Sequence, residues 1–258
     1  MKKFTLILGA LAVAFTATFC TKEYETKREP QNLKYVGVYH NEGLDYVFHD
    51  IKSKVSGKEY NNELESLLEM CYNASVDYLT QERFFEEFDN WGERLYFADT
   101  VYNWAKDICL YDTRTLEDMY ENGVLNLSEA ATSIIDEMYL SSNNEETSLN
   151  DFETLCDNLL IEANSKLSGA EREAVIATIY VAKFSANYWY ENAEYWASVL
   201  TGNNGAKKFN WKGLLKSDLI GAISGGAGGI EGGPAGIAAG ALIGGIVASA
   251  TFTIEELL

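Results

Sequence analysis

Between Asn41 and Leu200 apolar residues recur at steps of three and four, and hardly any stretch alternates residue by residue. Helices are therefore expected throughout, with no sheet. Only Pro30 and Pro234 occur in the whole chain, so long helices run unbroken. Asn41 is placed to cap a first helix through Leu44, Val47, Phe48 and Ile51, with Gly57 as its stop. A second runs from Asn62 to about Leu79 on Leu64, Leu67, Leu68, Cys71 and Val76. Gln81 to Leu110 is rich in aromatics at helical spacing and reads as one long helix or two. Thr115, Ser128 and Ser148 each precede a helical run, and the polar stretch Ser141 to Thr147 is a loop. Ser168 and Glu171 have the spacing of a capping box, opening a helix from Ala170 to Leu200. Between Ala174 and Trp189 that helix is apolar on nearly every side. Such a helix belongs at the centre, which predicts an all-α bundle wrapped around it.

The pattern changes after Lys216. Gly213 to Gly245 hold 12 of the chain's 21 glycines, in two four-residue series. One is Gly221, Gly225, Gly229, Gly233; the other is Gly228, Gly232, Gly236, Gly240, Gly244. On a helix, glycines at that spacing make a flat groove into which a second helix packs backbone to backbone. A solvated helix with so much glycine loses about 1 kcal/mol per residue relative to alanine, so close packing or lipid must compensate. Glu231 and Pro234 mark a bend, giving a helical hairpin of Leu219–Ile230 and Gly236–Thr253. The uncharged stretch from Gly232 to Thr253 is about 33 Å as helix, enough for a hydrocarbon core of about 30 Å, whereas the first arm is too short to span alone. Three fates are open for this tail: insertion into a membrane, association with other copies, or packing on its own domain. Over about 35 residues it resembles glycine-zipper segments and the Gly/Ala/Ile-rich peptides of class II bacteriocins, a resemblance that implies membrane activity.

The N-terminus adds an address. Met1-Lys2-Lys3 followed by an uncharged run from Phe4 to Phe19 is the pattern of a secretory signal, which predicts export. Cleavage fits after Ala14, or before Cys20 to leave a lipid-modified cysteine on a polar tether. The divisions expected are thus a signal peptide (1–19), a tether (20–40), an acidic helical domain (41–205), and a basic juncture with the glycine tail (206–258). The formal charge is −19, and near −21 once Lys2 and Lys3 are removed, leaving 18 basic against 39 acidic residues. A nucleic-acid partner is excluded on electrostatic grounds, and adhesion to anionic headgroups is disfavoured. Lys207, Lys208, Lys212 and Lys216 nevertheless gather just ahead of the tail, where they would hold it at a membrane surface. Cys71, Cys109 and Cys156, far apart and without a CxxC pair, suit neither a zinc site nor a legible disulfide. They read as buried apolar thiols, with a pair among them left open.

Candidate chemistry is sparse. Both histidines lie in His40-Asn-Glu-Gly-Leu-Asp-Tyr-Val-Phe-His49, where Glu42, Asp45 and His49 fall near one helix face. With His40 they form a candidate metal set, although capping by Asn41 and an Asp45–His49 pair explain the same residues structurally. The run His40 to Val47 also resembles uncharacterised helical lipoproteins of Bacteroidota type, a resemblance that implies no activity. Tyr188, Trp189, Tyr190, Tyr195 and Trp196 suit a core, a sugar-stacking face, or an aromatic belt ahead of the tail. No nucleophile–base pairing, phosphate loop or dinucleotide fingerprint is present, and no cofactor is implied. The leading expectation is an exported cell-envelope protein, at the outer membrane or surface if lipid-anchored and otherwise secreted. Its tail would engage the membrane or itself, with an unidentified protein partner for the acidic domain. Two alternatives stand beside it: a secreted bacteriocin-like toxin, and a metal-dependent enzyme built on His40 and His49.

Overall fold

Local cap chemistry sets several of the helix starts. The computed structural model describes residues 33–55, 64–79, 81, 116–121, 123, 125–200, 211–230 and 233–257. These form helices α1 (Lys34–Val55), α2 (Leu64–Leu79), α3 (Leu116–Glu121), α4 (Glu129–Asn143), α5 (Leu149–Lys166), α6 (Gly169–Leu200), α7 (Trp211–Gly228) and α8 (Gly233–Leu257). Among the described residues there is no strand. Ser128 caps α4 by accepting from the Ala131 amide, and Ser148 caps α5 by accepting from the Asp151 amide, as their positions in the sequence predict.

Two local expectations are corrected. Asn41 is not a cap: α1 begins at Lys34, and Leu33, Val36, His40, Leu44, Val47, Phe48 and Ile51 are all buried along one stripe. The stripe starts two turns earlier than the cap reading allowed, so residues 34–40 belong to the helix rather than to a tether. Asn41 instead donates to the Phe184 carbonyl at 3.0 Å and ties α1 to α6. Nor does Glu171 close a capping box on Ser168. Its two carboxylate oxygens accept from the amide (2.6 Å) and hydroxyl (2.9 Å) of Ser128, joining the start of α6 to the start of α4. The chain enters α6 through Gly169 at φ 59°, a left-handed conformation that glycine adopts without strain.

α6 is the central helix that its apolar pattern predicts. It packs against α1, α4, α5, α7 and α8, and Val175, Ala177, Ile179, Val181, Ala182, Ala186, Trp189 and Ala197 are buried around its circumference. α4 and α5 have the contrasting, amphipathic form. They bury one stripe each, Ile134, Ile135 and Met138 against Phe152, Cys156 and Leu159.

The glycine tail does not lie apart from the domain. Residues Asn32–Leu258 form one compact unit; α7 packs on α6 and α4, and α8 packs on α6, α1 and α2. The expected boundary near residue 206 is therefore no boundary of packing. Of the three fates open to the tail, this structure displays the third. Cys71 and Cys156 are free, buried thiols. Cys20, Cys109 and the expected helices between residues 82 and 110 lie outside the described residues.

Candidate functional site

α7 and α8 form an antiparallel pair whose seam is glycine on glycine. A Cβ built on Gly221 would stand 2.0 Å from the Gly244 carbonyl oxygen, one on Gly240 2.1 Å from that of Gly225, and one on Gly229 2.1 Å from that of Gly236. The two numbers in each pair sum to 465, so the register is constant along the seam. Each contact is closer than any side chain permits, which is why both arms repeat glycine every fourth residue. Gly221, Gly225, Gly229, Gly236, Gly240 and Gly244 of the predicted series are thus brought together inside one hairpin; Gly232, with Glu231, lies outside the described residues. The flanks of the arms are aliphatic and buried: Leu215, Leu219 and Ile223 on α7, Ile237, Ile243 and Ile246 on α8. The Ser224 and Thr253 hydroxyls donate to carbonyls one turn back, those of Ile220 (2.5 Å) and Ser249 (2.7 Å).

The hairpin meets the bundle just as closely. A Cβ on Gly43 of α1 would lie 2.2 Å from Ile246 Cδ1, and one on Gly245 of α8 would lie 2.8 Å from the His40 ring. At the open end of the pair, Trp211 and Tyr190 meet edge to face at 5.8 Å. There the Lys212 ammonium donates to the Asn144 carbonyl and lies 5.7 Å from the Trp211 ring, while that of Lys216 lies 4.9 Å from the Tyr139 ring. Lys212 and Lys216 of the predicted lysines and Tyr190 of the predicted aromatics stand at this end, beside Trp211 and Tyr139; Lys207 and Lys208 lie outside the described residues.

A buried polar cluster crosses the interface between hairpin and bundle. Asp218 of α7, fully buried, accepts from four donors: His40 Nε2 of α1 at 3.0 Å, Trp189 Nε1 of α6 at 2.6 Å, and the hydroxyls of Ser185 of α6 and Ser249 of α8. The other ring nitrogen of His40 meets Asn41 Oδ1 at 3.1 Å, and the bond from Asn41 Nδ2 to Phe184 sets the orientation of that amide. Both imidazole nitrogens therefore face side-chain oxygens. The pair is buried and hydrogen-bonded at both ring nitrogens, the condition under which polar groups are tolerated in a core.

The cluster unites serine, histidine and aspartate, but in the wrong order for nucleophilic catalysis. Both hydroxyls donate to the carboxylate rather than to the imidazole, and neither serine is reachable from solvent. Its chemistry is cohesion.

The candidate metal set is not assembled. His40 turns into the core, whereas Glu42, Asp45 and His49 are exposed, and among the described residues no three His, Cys, Asp or Glu converge as metal ligands. Asp45 accepts from the Tyr188 hydroxyl at 2.9 Å, which in turn accepts from Trp196 Nε1 at 3.0 Å. Burial and the neighbouring Asp45 carboxylate push the Tyr188 phenol far above its usual range, so it serves as a neutral hydrogen-bonding strut. The aromatic run is thereby divided: Tyr188, Trp189 and Trp196 are core, and Tyr190 and Tyr195 are exposed.

Asp218 and Ser249 were missed in the sequence, where the available signal was one acid standing alone between Leu215 and Leu219. Compared with protein-family models, with curated proteins and with solved structures, the chain matches none.

Proposed function

We propose that this is an exported cell-envelope interaction protein that carries a membrane-competent glycine hairpin sheathed within its helical bundle. The observation that carries the reading is the self-contained seam. Because Gly221, Gly225, Gly229, Gly236, Gly240 and Gly244 face one another within the pair, the hairpin can move as a unit, presenting lipid mainly with its aliphatic flanks. In lipid those flanks lose little, since acyl chains are as apolar as the core they leave.

Geometry limits the depth of entry. The uncharged length from Leu219 to Ile230 is about 18 Å, so the pair immerses through roughly one leaflet before Asp218 reaches hydrocarbon. Trp211, Lys212 and Lys216 would then lie at headgroup level, the depth that aromatic and basic residues favour. Leu219, Ile220, Ile223, Ile230, Ile237, Leu242, Ile243, Ile246 and Val247 contribute roughly 0.3 to 0.6 kcal/mol each, about 4 kcal/mol together. Glu231, between the two arms in the sequence, opposes them with about 3 kcal/mol. Insertion is thus near balance and depends on how firmly the bundle retains the hairpin.

The test is flotation of the protein beginning at Thr21, free of any lipid anchor, on phosphatidylcholine vesicles. In the bundle Ala174 Cβ lies 3.6 Å from the position of a Cβ on Gly226, and Ala241 Cβ is equally near, both within disulfide reach. An oxidised Ala174→Cys/Gly226→Cys protein, with α7 bolted to α6, should lose flotation. An oxidised Gly226→Cys/Ala241→Cys protein, with the arms bolted to each other, should keep it. Equal flotation of both, or none by the unmodified protein, rejects membrane delivery. Dye leakage separates a toxin-like pore from an anchor. A second reading is favoured by the burial of 83% of Gly236–Thr253 inside the fold. Here the hairpin is permanent core and the acidic surface meets a protein partner; absence of flotation by every form would select it.

A further inference from the structure

We propose that the cluster of His40, Ser185, Trp189, Asp218 and Ser249 is a release clasp, the specific set of bonds that retains the hairpin in the bundle. The inference rests on the reading that the hairpin leaves as a unit. Its basis is the difference between what lipid can and cannot replace. Aliphatic and glycine contacts around α7 and α8 are non-directional, and acyl chains substitute for the aliphatic ones. Hydrogen bonds to a buried carboxylate have no substitute in hydrocarbon.

The partition of the cluster makes it a clasp rather than mere internal glue. Asp218 and Ser249 travel with the hairpin, whereas His40, Ser185 and Trp189 stay with α1 and α6. Withdrawal of the hairpin parts three of the four bonds to Asp218 and separates the imidazole from its carboxylate. Each side is left with a polar group stripped of its partner, so the cost of release is concentrated at this point. The bond from Ser249 to Asp218 lies within the hairpin and survives. Gly245 closes the site, since a side chain there would meet Cδ2 and Nε2 of the His40 ring. Among the described residues, the charged or titratable groups within the cluster are Asp218 and His40 themselves. Tyr188 lies next outward, with its ring 5.1 Å from that of Trp189.

Hydrogen exchange of the full protein beginning at Thr21, followed by mass spectrometry without lipid, tests this. Asp218→Asn should accelerate exchange of residues 211–257 by about 100-fold more than that of residues 129–166. Ser185→Ala, which removes one bond across the interface, should give about 10-fold in the same segment. Ile134→Ala, a cavity in α4 away from the cluster, should not favour the hairpin. Uniform acceleration across the chain in both cluster variants overturns the clasp. If Asp218→Asn does not fold, Ser185→Ala and His40→Gln decide by the same comparison. Vesicle flotation of these variants keeps the two proposals apart. A hairpin that opens yet never floats upholds the clasp and rejects membrane delivery. Flotation that the 174–226 disulfide abolishes, with unchanged hairpin exchange in the variants, does the reverse.

Discussion

The α7–α8 hairpin and the α4–α5 pair are both antiparallel and both cohesive, yet they are built on opposite plans. α4 and α5 each bury one stripe of large side chains, capped by Ser128 and Ser148, with polar residues turned to water. Lys166 of α5 reaches Glu162 there, an exposed i,i+4 pair of small energetic weight. α7 and α8 bury nearly their whole circumference and replace side-chain interdigitation with backbone contact at Gly221, Gly225, Gly229, Gly236, Gly240 and Gly244. A stripe yields gradually, because side chains repack. A backbone seam has nothing to repack, so it tolerates almost no change.

The sharpest way to break this comparison is Gly221→Ala. In an ordinary helix that change stabilises by about 1 kcal/mol. Here the new methyl would strike the Gly244 carbonyl, and we expect a loss above about 3 kcal/mol in urea unfolding, or no folded protein. A stabilised variant would mean that the seam is not closed.

Next in size is an alkaline effect confined to the other plan. Burial pushes the Cys156 thiol of α5 from 9.0 up to about 12. The folded state therefore keeps a proton that the unfolded chain releases. The stabilisation is complete below pH 9 and is lost as pH rises toward 12, at about 1.4 kcal/mol per unit. Thermal unfolding between pH 8 and 10.5 should show Cys156→Ala losing less stability than the parent protein. Identical profiles would exclude the thiol as the source. The smallest expected effect is that of Ser148→Ala, about 1 kcal/mol from one lost cap, read by the same unfolding assay. A loss near that of Gly221→Ala would erase the distinction between the two regions.

The same contrast decides what could be read without the structure. Caps are local chemistry, so Ser128 and Ser148 announce α4 and α5 from within a few residues. The glycine seam is nearly as legible, because its period of four is written in each arm and the break marked by Glu231 and Pro234 implies the pairing. The start of α1 misleads because Asn41 has the type of a cap, although Leu33 and Val36 already continue the stripe above it. The clasp is illegible for a different reason. Its five residues come from four helices, separated by up to 209 positions between His40 and Ser249, and nothing local in any of them requires the others. A lone buried Asp218 signals only that some partner must exist.

The constant sum of 465 across the seam also governs how this chain can vary over generations. Adding one residue to either arm between Gly221 and Gly244 turns everything beyond it by about 100° and carries the glycines out of the seam. Length can therefore change at the tip, between the arms, or by whole four-residue units gained in both arms at once. Lineages of this hairpin should differ by such paired steps, like a zip fastener lengthened only by adding a tooth to each side.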